Sequence, residues 1–504
     1  MLDRRARVRC LDEQNLGGTA QRTEIRPNPS GGREQERPAR GSGGETFQIG
    51  GEQILEPPDG IVAMDADDPA TPQADERPTR AQRVHLRLDP CVHPPILSYL
   101  VRSSSVLRGP GPARLVPGRI VRAVDVPMTL LVTNDFPPAV GGIQRTLEAL
   151  ALELPPERIA VFCPAAEPSA DAAEIYDRAA PFTVLRQPER FLWPTPGVGR
   201  RIEAAVRETG AEVVLFGACF PLAFVGPRLA RAGIPYLAAA HGFEYWLSIV
   251  PGAHSALRYA TSRATRVPVM CSAFIARRVR TAVPRRVPVS VLYPGADVER
   301  FHPGLETADL RRALGLGERP VVVCVSRLVD RKGQDVLIRG MSRVRQTAPD
   351  AVLVLVGGGP AEERLRRLAA DAPEGSVVFA GKVPEDDLPR YYALGDVFAM
   401  PCRSRLAGLE VEGWGNVFIE AAACGRPVVV GDSGGARESL VDGETGLLVD
   451  GADVDQVAEA VARLLADPDE ARRMGEAGRR RVLRSHTWGS IADRLVLWLQ
   501  QAAG

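Results

Sequence analysis

Short apolar runs alternate with amphipathic segments from Met128 to the end of the chain. The runs are rich in Val, Leu, Ile and Ala, a composition typical of strands buried on both faces of a parallel sheet. The first series of predicted strands covers residues 130–134, 159–163, 182–185, 213–216, 236–240, 267–271 and 289–293. A second series covers residues 321–325, 352–356, 377–379, 397–400, 428–430 and 447–449.

Helical patterns lie between many of these runs. They cover residues 144–152, 201–209, 335–346, 362–370 and 457–466, and a last helix is predicted over 488–499. A single sheet of about thirteen strands would be unusual. The pattern therefore predicts an α/β protein with two doubly wound, Rossmann-like domains, joined by a hinge between residues 293 and 304.

Residues 1–127 have a different composition, in which Pro, Gly, Arg and acidic residues dominate. Such a segment buries too little apolar area to offset its ordering entropy, so we predict a disordered extension. Our hypothesis is that the segment is misassigned and that Met128 is the biological start; a genuine disordered tail is the alternative. The predicted domains are then 128–300 and 301–484, and the terminal helix of 485–504 is expected to cross back to the first domain.

The composition excludes several classes of protein. The chain has 504 residues and a net charge of +1, so no overall basic field indicates a nucleic-acid partner. Its eight cysteines form no C-x-x-C motif, which argues against a zinc site and favours a reducing, cytoplasmic location. The sequence shows no apolar run long enough for a membrane span and no signal-peptide core.

Two acids eight positions apart, Glu412 and Glu420, flank a stretch of small residues. Because Gly413 and Gly415 interrupt a regular helix, we expect Glu412 on a loop and Glu420 inside a helix that begins near Gly415. The amide groups at such a helix start favour an anion in front of it. The arrangement predicts two carboxylates that hold sugar hydroxyls from two sides.

Arg327 and Lys332 follow the strand predicted at 321–325. The chain has only two lysines, Lys332 and Lys382, against 61 arginines, so an ammonium at position 332 indicates that a compact point charge is needed. Two fixed cations at the end of a strand are suited to a diphosphate. The alternative is an ordinary solvated loop, and Lys382 itself is compatible with a plain surface position.

Two further strand ends carry candidate chemistry. Gly141 and Gly142 open the predicted helix after the first strand and would let a phosphate approach the backbone, although a tight turn explains them equally well. They do not form a G-x-G-x-x-G fingerprint, which weakens a dinucleotide interpretation. His241 directly follows the strand at 236–240, where a ligand site belongs in this fold class; the alternative is a structural histidine.

These motifs resemble the retaining glycosyltransferases of the GT-B fold, family GT4, over residues 128–504. Within that family the closest likeness is to the mannosyltransferases of phosphatidylinositol mannoside synthesis. The resemblance rests on Arg327 and Lys332 followed by the Glu412-x7-Glu420 pair, and on residues 133–138, 141–144, 326–329, 332–335, 400–403 and 430–435. Phe243, Glu410 and Ala139 depart from the expected pattern. These departures weaken the prediction of the acceptor more than the prediction of the donor chemistry.

The resemblance implies roles for single residues. Arg327 and Lys332 would hold the nucleotide diphosphate, Gly142 would approach the donor phosphate, and Val383 would meet the guanine through its backbone. A second set is expected at the sugars: Glu412 at the mannose, Glu420 at the ribose, His241 near the donor C6 region with its backbone by the transferring sugar, and Asp135 and Gln144 on the acceptor side.

The implied reaction transfers mannose from GDP-mannose to phosphatidylinositol monomannoside in an α-1,6 link, with retention and without a metal or other cofactor. The expected partners are a nucleotide-sugar donor and a phospholipid acceptor at the cytoplasmic face of the plasma membrane. The arginines of residues 276–286 are suited to anionic lipid, and an ordinary solvated helix face is the alternative. The alternatives are a GT4 enzyme with another nucleotide sugar or acceptor, a non-hydrolysing epimerase of the same fold, and a nucleotide-binding protein that has lost catalysis.

Overall fold

Two parallel sheets organise the chain in the computed structural model, which describes residues 114–116, 119–121, 125–165 and 169–504. The strands, numbered along the chain, are β1 (Arg114–Val116), β2 (Arg119–Val121), β3 (Thr129–Val132), β4 (Ile159–Cys163), β5 (Thr183–Arg186), β6 (Val213–Phe216), β7 (Tyr236–Ala238), β8 (Val267–Val269), β9 (Val289–Val291), β10 (Val321–Val325), β11 (Val352–Val356), β12 (Val377–Gly381), β13 (Val397–Met400), β14 (Val428–Gly431) and β15 (Gly446–Val449). Every strand that the hydrophobic pattern predicts is present.

Helices connect these strands and cover both sheets. They are α1 (Gly142–Glu153), α2 (Ala170–Ala179), α3 (Pro196–Thr209), α4 (Gly226–Arg231), α5 (Phe243–Leu247), α6 (Pro251–Ala260), α7 (Ala273–Ala282), α8 (Ala308–Ala313), α9 (Gln334–Thr347), α10 (Glu362–Ala369), α11 (Leu388–Leu394), α12 (Asn416–Ala423), α13 (Val454–Ala466), α14 (Pro468–Ser485) and α15 (Trp488–Ala503). Many are short, which explains why the sequence pattern predicted fewer helices than the structure contains.

The first domain is built on a five-stranded parallel sheet with the order β5-β4-β3-β6-β7. Its central strand pairs on both sides, with Leu130 opposite Ala160 in β4 and opposite Val214 in β6. All four residues of β3 are buried, as expected for a strand covered by helices on both faces. The parallel pair β8-β9 extends this sheet through single bridges between residues of β7 and β8 or their flanks.

The second domain repeats the arrangement with six parallel strands in the order β12-β11-β10-β13-β14-β15. Its central strand β10 consists of β-branched residues and one cysteine, and all five are buried. In each sheet the strand order reverses at the central strand, β3 or β10. Ligands in doubly wound folds bind beyond the carboxyl ends of the strands at this reversal, which is where the candidate residues lie.

The chain crosses between the domains twice, and the two crossings meet. The Ala296 amide donates to the His486 carbonyl oxygen at 2.8 Å. Three aromatic rings pack around this point, with centroid distances of 4.5 Å between Tyr293 and Trp414 and 5.7 Å between Trp414 and His486. We call Tyr293, Trp414 and His486 the hinge cluster; it ties both crossings to the segment that carries Glu412.

The terminal helix α15 returns to the first domain, where it packs on α1 and on β6 and β7. Ile491, Leu495 and Leu499 are buried in the same cluster as Leu131 and Leu147. Each fully buried side chain of this size contributes about 1.5–3 kcal/mol, so this packing holds the C-terminal end of the chain firmly on the first domain.

Packing begins two residues before the predicted boundary at residue 128, at Val126. Val126 is buried in the core beside α15, and the Asp125 carbonyl oxygen accepts a hydrogen bond from Gln500 Nε2 at 2.7 Å. Two three-residue strands, β1 and β2, also form an antiparallel pair before that point. The rest of the predicted disordered extension lies outside the described residues.

The buried imidazole of His486 predicts a pH dependence of stability. Burial lowers the pKa of His486 to about 3, and the charges of Arg481 and Arg494 act in the same direction. Unfolding exposes the ring, so below pH 6.5 the unfolded state binds the extra proton and stability falls as the pH drops toward about 3. The slope is up to roughly 1.4 kcal/mol per pH unit.

We therefore expect the variant His486→Phe to lose less stability than the wild type as the pH falls from about 6 to about 4. This rough window lies between the usual pKa of histidine and the lowered pKa of His486. Chemical denaturation at several pH values measures this directly. If the free energy of unfolding falls equally in both proteins as the pH drops, His486 does not titrate in the way described here.

Candidate active site

The loop after β10 presents Arg327 and Lys332 at the carboxyl edge of the second sheet. Gln334, the first residue of α9, closes this loop by donating from Nε2 to Ser326 Oγ and to the Arg327 carbonyl oxygen, both at 2.9 Å. Gly333 has a φ of 76°, and a Cβ there would lie 2.0 Å from the Pro401 carbonyl oxygen. Only glycine fits this position, so the loop is held firmly against the end of β13.

Arg327 and Lys332 differ in their environment. The Arg327 side chain is exposed and has no hydrogen-bond or ion-pair partner among the described residues. Lys332 is buried, and its Nζ lies 2.7 Å from Glu412 Oε2. The structure thus places one free guanidinium and one paired ammonium on the same short loop.

Glu412 is buried and is the anion at the centre of this site. Its Oε2 accepts from Arg331 as well as from Lys332. Burial raises the pKa of Glu412, but the charges of Lys332 and Arg331 lower it more, so the net pKa lies below its usual value. The carboxylate therefore stays ionised at neutral pH.

The glycine-rich loop after β14 supports Glu412. The Glu412 amide donates to Ser433 Oγ at 3.1 Å, and the Gly435 amide donates to the Glu412 carbonyl oxygen at 2.9 Å. A Cβ at Gly434, whose φ is 57°, would lie 2.3 Å from that same oxygen. A side chain at this position would therefore displace the backbone that carries the carboxylate.

Arg331 is a site residue that the sequence analysis did not single out. Besides its bond to Glu412, its Nε lies 3.9 Å from Glu410 Oε1. The available signal was its place directly beside Lys332 in the loop after β10. Sequence spacing gave no means of telling which of Arg327 and Arg331 faces Glu412.

Glu420 lies within α12, which begins after Gly415 as predicted. Tyr392 in α11 donates to Glu420 Oε2 at 2.6 Å, a partner that the sequence did not reveal. Burial raises the pKa of Glu420, while the Tyr392 hydrogen bond lowers it in part. The charges of Arg145 and Arg300 also lower it, while the charge of Glu385 raises it.

Glu385 joins the two domains beside Glu420. It forms an ion pair with Arg145 of α1, and its carbonyl oxygen accepts from Arg300 Nη2 at 2.9 Å. Val383 lies two residues before Glu385 and is half-buried against the core of the second domain. The segment expected to meet a base is therefore fixed at the cleft edge.

The acceptor-side candidates meet at the carboxyl ends of β3 and β7. Gln144 Nε2 donates to Asp135 Oδ1 at 2.9 Å. A Cβ at Gly141 would lie 2.2 Å from Gln144 Oε1, so glycine leaves room for this contact. Gly142 begins α1, is exposed, and has no atom within 4 Å of where its Cβ would be. The backbone at this helix start is therefore open to close approach, as a bound phosphate would need.

His241 is held in one tautomer by its neighbours. Its Nε2 lies 2.6 Å from the Gly217 carbonyl oxygen, which only accepts, so Nε2 carries the hydrogen and Nδ1 is the acceptor. Burial lowers the pKa of His241, and the carboxylates of Glu244 and Asp135 offset this only in part, so the ring is neutral. The His241 amide donates to Glu244 Oε2 at 2.9 Å. Any backbone contribution of His241 to a bound sugar therefore falls to its carbonyl oxygen.

A second contact between the domains lies beside the glycine-rich loop. Glu438 accepts from the Ala273 and Phe274 amides at 2.7 and 2.8 Å, and from the Tyr293 hydroxyl at 3.1 Å. The first two donors are the opening amides of α7, where a carboxylate is favoured. Glu438 thus fixes the loop around Glu412 to the first domain.

Comparisons with known proteins agree with this geometry. A family model described as Glycosyltransferase Family 4 matches residues 140–300, and one described as Glycosyl transferases group 1 matches residues 306–481. Together the two matches cover both domains of the structure.

Curated relatives resemble the chain over nearly their whole length. The GDP-mannose-dependent alpha-(1-6)-phosphatidylinositol monomannoside mannosyltransferase of Mycolicibacterium smegmatis is 46% identical over 373 residues, which are 73% of this chain and 96% of that protein. A GDP-mannose-dependent monoacylated alpha-(1-6)-phosphatidylinositol monomannoside mannosyltransferase of Corynebacterium glutamicum is 40% identical over 74% of this chain and 97% of its own length.

Solved structures with low sequence identity share the fold. The HepE protein of Anabaena in complex with UDP has a TM-score of 0.60 at 20% identity, over 74% of this chain and 99% of its own. A sucrose-phosphate synthase of Thermosynechococcus elongatus has a TM-score of 0.58 at 23% identity, over 74% of this chain and 98% of its own. The prediction of two Rossmann-like domains in a GT-B arrangement is confirmed.

Proposed function

Because the chain belongs to the GDP-mannose-dependent phosphatidylinositol monomannoside mannosyltransferases of glycosyltransferase family 4, we propose that its cleft transfers mannose from GDP-mannose to phosphatidylinositol monomannoside in an α-1,6 link. The observation that carries the proposal is the buried Lys332–Glu412 pair, with Nζ and Oε2 2.7 Å apart, next to the free guanidinium of Arg327. Two cations at the carboxyl edge of a sheet are suited to a diphosphate that gains charge as it leaves.

The proposed reaction proceeds with retention and needs neither a metal nor another cofactor. The bond between mannose C1 and the phosphate oxygen breaks while the acceptor hydroxyl bonds to C1 from the same face. The hydroxyl proton passes to the departing phosphate, so the electron pair and the proton both leave with GDP. Arg327, Lys332 and the amides at the start of α1 would stabilise the charge on that group.

Glu412 is proposed to position rather than to attack. Its Oε2 accepts from both Arg331 and Lys332, and its pKa is lowered, so the oxygen is a poor proton donor and a weakened nucleophile. A covalent glycosyl-enzyme on Glu412 is for that reason the less favoured route. The carboxylate would orient Lys332, and its second oxygen would accept hydrogen bonds from hydroxyl groups of the mannose.

The acceptor is proposed to enter beside Asp135, Gln144 and His241. The neutral ring of His241 leaves Nδ1 as an acceptor, and its carbonyl oxygen could face the positive charge that develops on the sugar. Gln144 holds Asp135 in a fixed orientation, and burial raises the pKa of Asp135. On this side the groups are suited to hydroxyl recognition rather than to phosphate binding.

The acceptor's lipid nature requires contact with a bilayer, which we propose occurs at the cytoplasmic membrane face. Within the described part of the chain, none of the helices combines the length and apolar character that a membrane span needs. We therefore propose peripheral contact, through side chains on the surface of the first domain.

A donor and acceptor panel tests the proposed function. Purified full-length protein is incubated with GDP-mannose or UDP-glucose and with phosphatidylinositol, phosphatidylinositol monomannoside or no acceptor, and the product linkage is determined. We expect an α-1,6-linked mannose on the monomannoside from GDP-mannose, at an unchanged rate in the presence of a chelator. Faster transfer from UDP-glucose, a β-linked product, or loss of the reaction on chelation would each contradict the proposal.

A further inference from the structure

A short loop of the second domain reaches the first domain beside Glu412. It covers residues 405–410 and is closed at its base by Arg405 and Glu410, whose backbone groups exchange two hydrogen bonds of 2.8 and 3.1 Å. At its tip the Gly408 carbonyl oxygen accepts from the Tyr245 hydroxyl of α5 at 2.9 Å. We call residues 405–410 the strap, because they join the two sides of the cleft.

The strap has a strained backbone. Leu406 and Ala407 have φ values of 50° and 52°, in the left-handed region that residues other than glycine rarely adopt. Such conformations persist where surrounding contacts impose them, and they cluster at active sites and ligand clamps. Burial of the strap's own side chains does not impose this one, since Leu406 and Leu409 expose 67% and 40% of their surfaces. The polar contacts at the base and the tip therefore hold the strap in place.

Ion pairs at the base of the strap connect it to the donor side of the cleft. The Arg405 guanidinium lies 3.1 Å from Glu410 Oε2 and 3.2 Å from Asp330 Oδ2. Arg331, the residue after Asp330, lies with its Nε 3.9 Å from Glu410 Oε1 and donates to Glu412 Oε2. The strap is therefore linked to Glu412 through Glu410 and Arg331.

The tip of the strap is held by the helix that also fixes His241. In α5, Glu244 accepts from the His241 amide at 2.9 Å, and the next residue, Tyr245, donates to the strap. The Tyr245 ring stacks on that of Phe274, with centroids 5.9 Å apart and an interplanar angle of 22°. The Phe274 amide in turn donates to Glu438 at 2.8 Å. Tyr245 is thus held by packing, and its hydroxyl joins the acceptor side of the cleft to the strap.

We propose that Tyr245 is a positioning residue for sugar transfer, which acts through the strap on the orientation of Glu412. Its hydrogen bond to Gly408 and the contacts of Glu410 and Arg331 form one continuous connection across the cleft. Because a transferring sugar must be held in a reactive geometry, a loose strap would slow the chemical step more than it would weaken diphosphate binding. The inference rests on the proposed function, since it takes Glu412 as the group that orients the mannose.

Steady-state kinetics of the full-length variant Tyr245→Phe test this role. The substitution keeps the stacked ring and removes only the hydroxyl. We expect kcat for transfer to phosphatidylinositol monomannoside to fall about three- to tenfold, the factor that corresponds to one hydrogen bond, while KM for GDP-mannose and the affinity for GDP stay unchanged.

The chain offers a matched control for the lost hydroxyl. Tyr259 is exposed, and its hydroxyl makes no hydrogen bond within the described part of the chain, so Tyr259→Phe should keep the wild-type kcat. Equal losses of kcat in the two variants would overturn the proposal. An unchanged kcat in Tyr245→Phe would overturn it as well.

A double-mutant cycle determines whether Tyr245 acts through the strap. Glu410→Gln weakens the ion pairs at the base of the strap, so this variant should also lower kcat. If the hydroxyl acts through the strap, Tyr245→Phe should lower kcat little further in that background, and the double variant should stay close to the slower single variant. Losses that multiply would show that the two residues act independently and would overturn the proposed connection.

Hydrogen exchange provides a measurement that does not depend on activity. The amides of Gly408, Leu409 and Glu410 are hydrogen-bonded within the strap. In Tyr245→Phe they should exchange about threefold or more faster, because the strap opens more easily without its bond at the tip. Faster exchange with an unchanged kcat would make the contact a structural one and overturn the positioning role.

The same variants separate this inference from the proposed function. Wild-type protein that transfers no mannose to the monomannoside, but transfers a sugar from another donor or to another acceptor, would contradict the proposed function. On that substrate pair, a loss of kcat confined to Tyr245→Phe would still support the role of the strap. The absence of any difference between Tyr245→Phe and Tyr259→Phe would overturn it.

Discussion

The variant Lys332→Ala is expected to lower the rate of mannose transfer by about 10²–10³-fold, while the protein stays folded. Lys332 is buried at the end of β10, with its Nζ 2.7 Å from Glu412 Oε2. Without the ammonium, the diphosphate loses one of the cations that stabilise its charge in the transition state. Glu412 would keep Arg331 as a partner, so the loss should appear in catalysis more than in stability.

The chain provides its own control for this experiment. Lys382 is the only other lysine and is exposed near the glycine-rich segment after β11, so Lys382→Ala removes the same group outside the Glu412 pair. Steady-state kinetics with GDP-mannose, together with thermal unfolding, measures both variants. Full activity in Lys332→Ala, or equal losses in the two variants, would contradict the role of Lys332 as a charge that stabilises the leaving group.

The strands could be predicted from sequence because of how parallel sheets are buried. Both faces of β3 and β10 are covered by helices, so nearly every position in them is apolar and the run stands out from its surroundings. Short helices such as α5 and α11 carry no comparable signal, because five to seven residues complete too few turns for a periodic pattern. Their positions are fixed by the strands and loops on which they pack.

The site was predictable in part for the same reason. Lys332 and His241 were found because they follow buried strands, and the topology brings those strand ends to one edge of each sheet. Glu412 was found from its spacing to Glu420, with two glycines between them. The bonds between side chains were not predictable. Arg331 bonds to Glu412 and Tyr392 bonds to Glu420 because of loop geometry that sequence spacing does not encode.

The domain boundary shows a third kind of limit. The composition changes at Met128, but the packing begins earlier, since Val126 is buried against α15. A single apolar residue in a polar segment gives no periodic pattern, and its partner lies at the other end of the chain. A contact between positions so far apart becomes visible only after the chain has folded.

Arg327→Gln and Arg331→Gln are expected to have opposite effects on activity and stability. The Arg327 guanidinium is exposed and has no partner among the described residues, so replacing it should leave the thermal midpoint unchanged. Transfer should fall about 10²-fold, because the loss of one charge-assisted contact to the diphosphate acts directly on the leaving group. Arg331 instead bonds to the buried Glu412 Oε2, and its loss should destabilise the protein by about 1.5–3 kcal/mol.

Donor binding distinguishes the two arginines further. The diphosphate of GDP binds the cation that faces it, so Arg327→Gln should weaken GDP binding. In this variant GDP should therefore raise the thermal midpoint less than it does in the wild type. Arg331→Gln should start from a lower midpoint and keep most of the rise caused by GDP. The reverse outcome would assign the diphosphate to Arg331. Glu412 would then have to release Arg331 when the donor binds. Its role would change from that of a fixed support to that of a group which the substrate displaces.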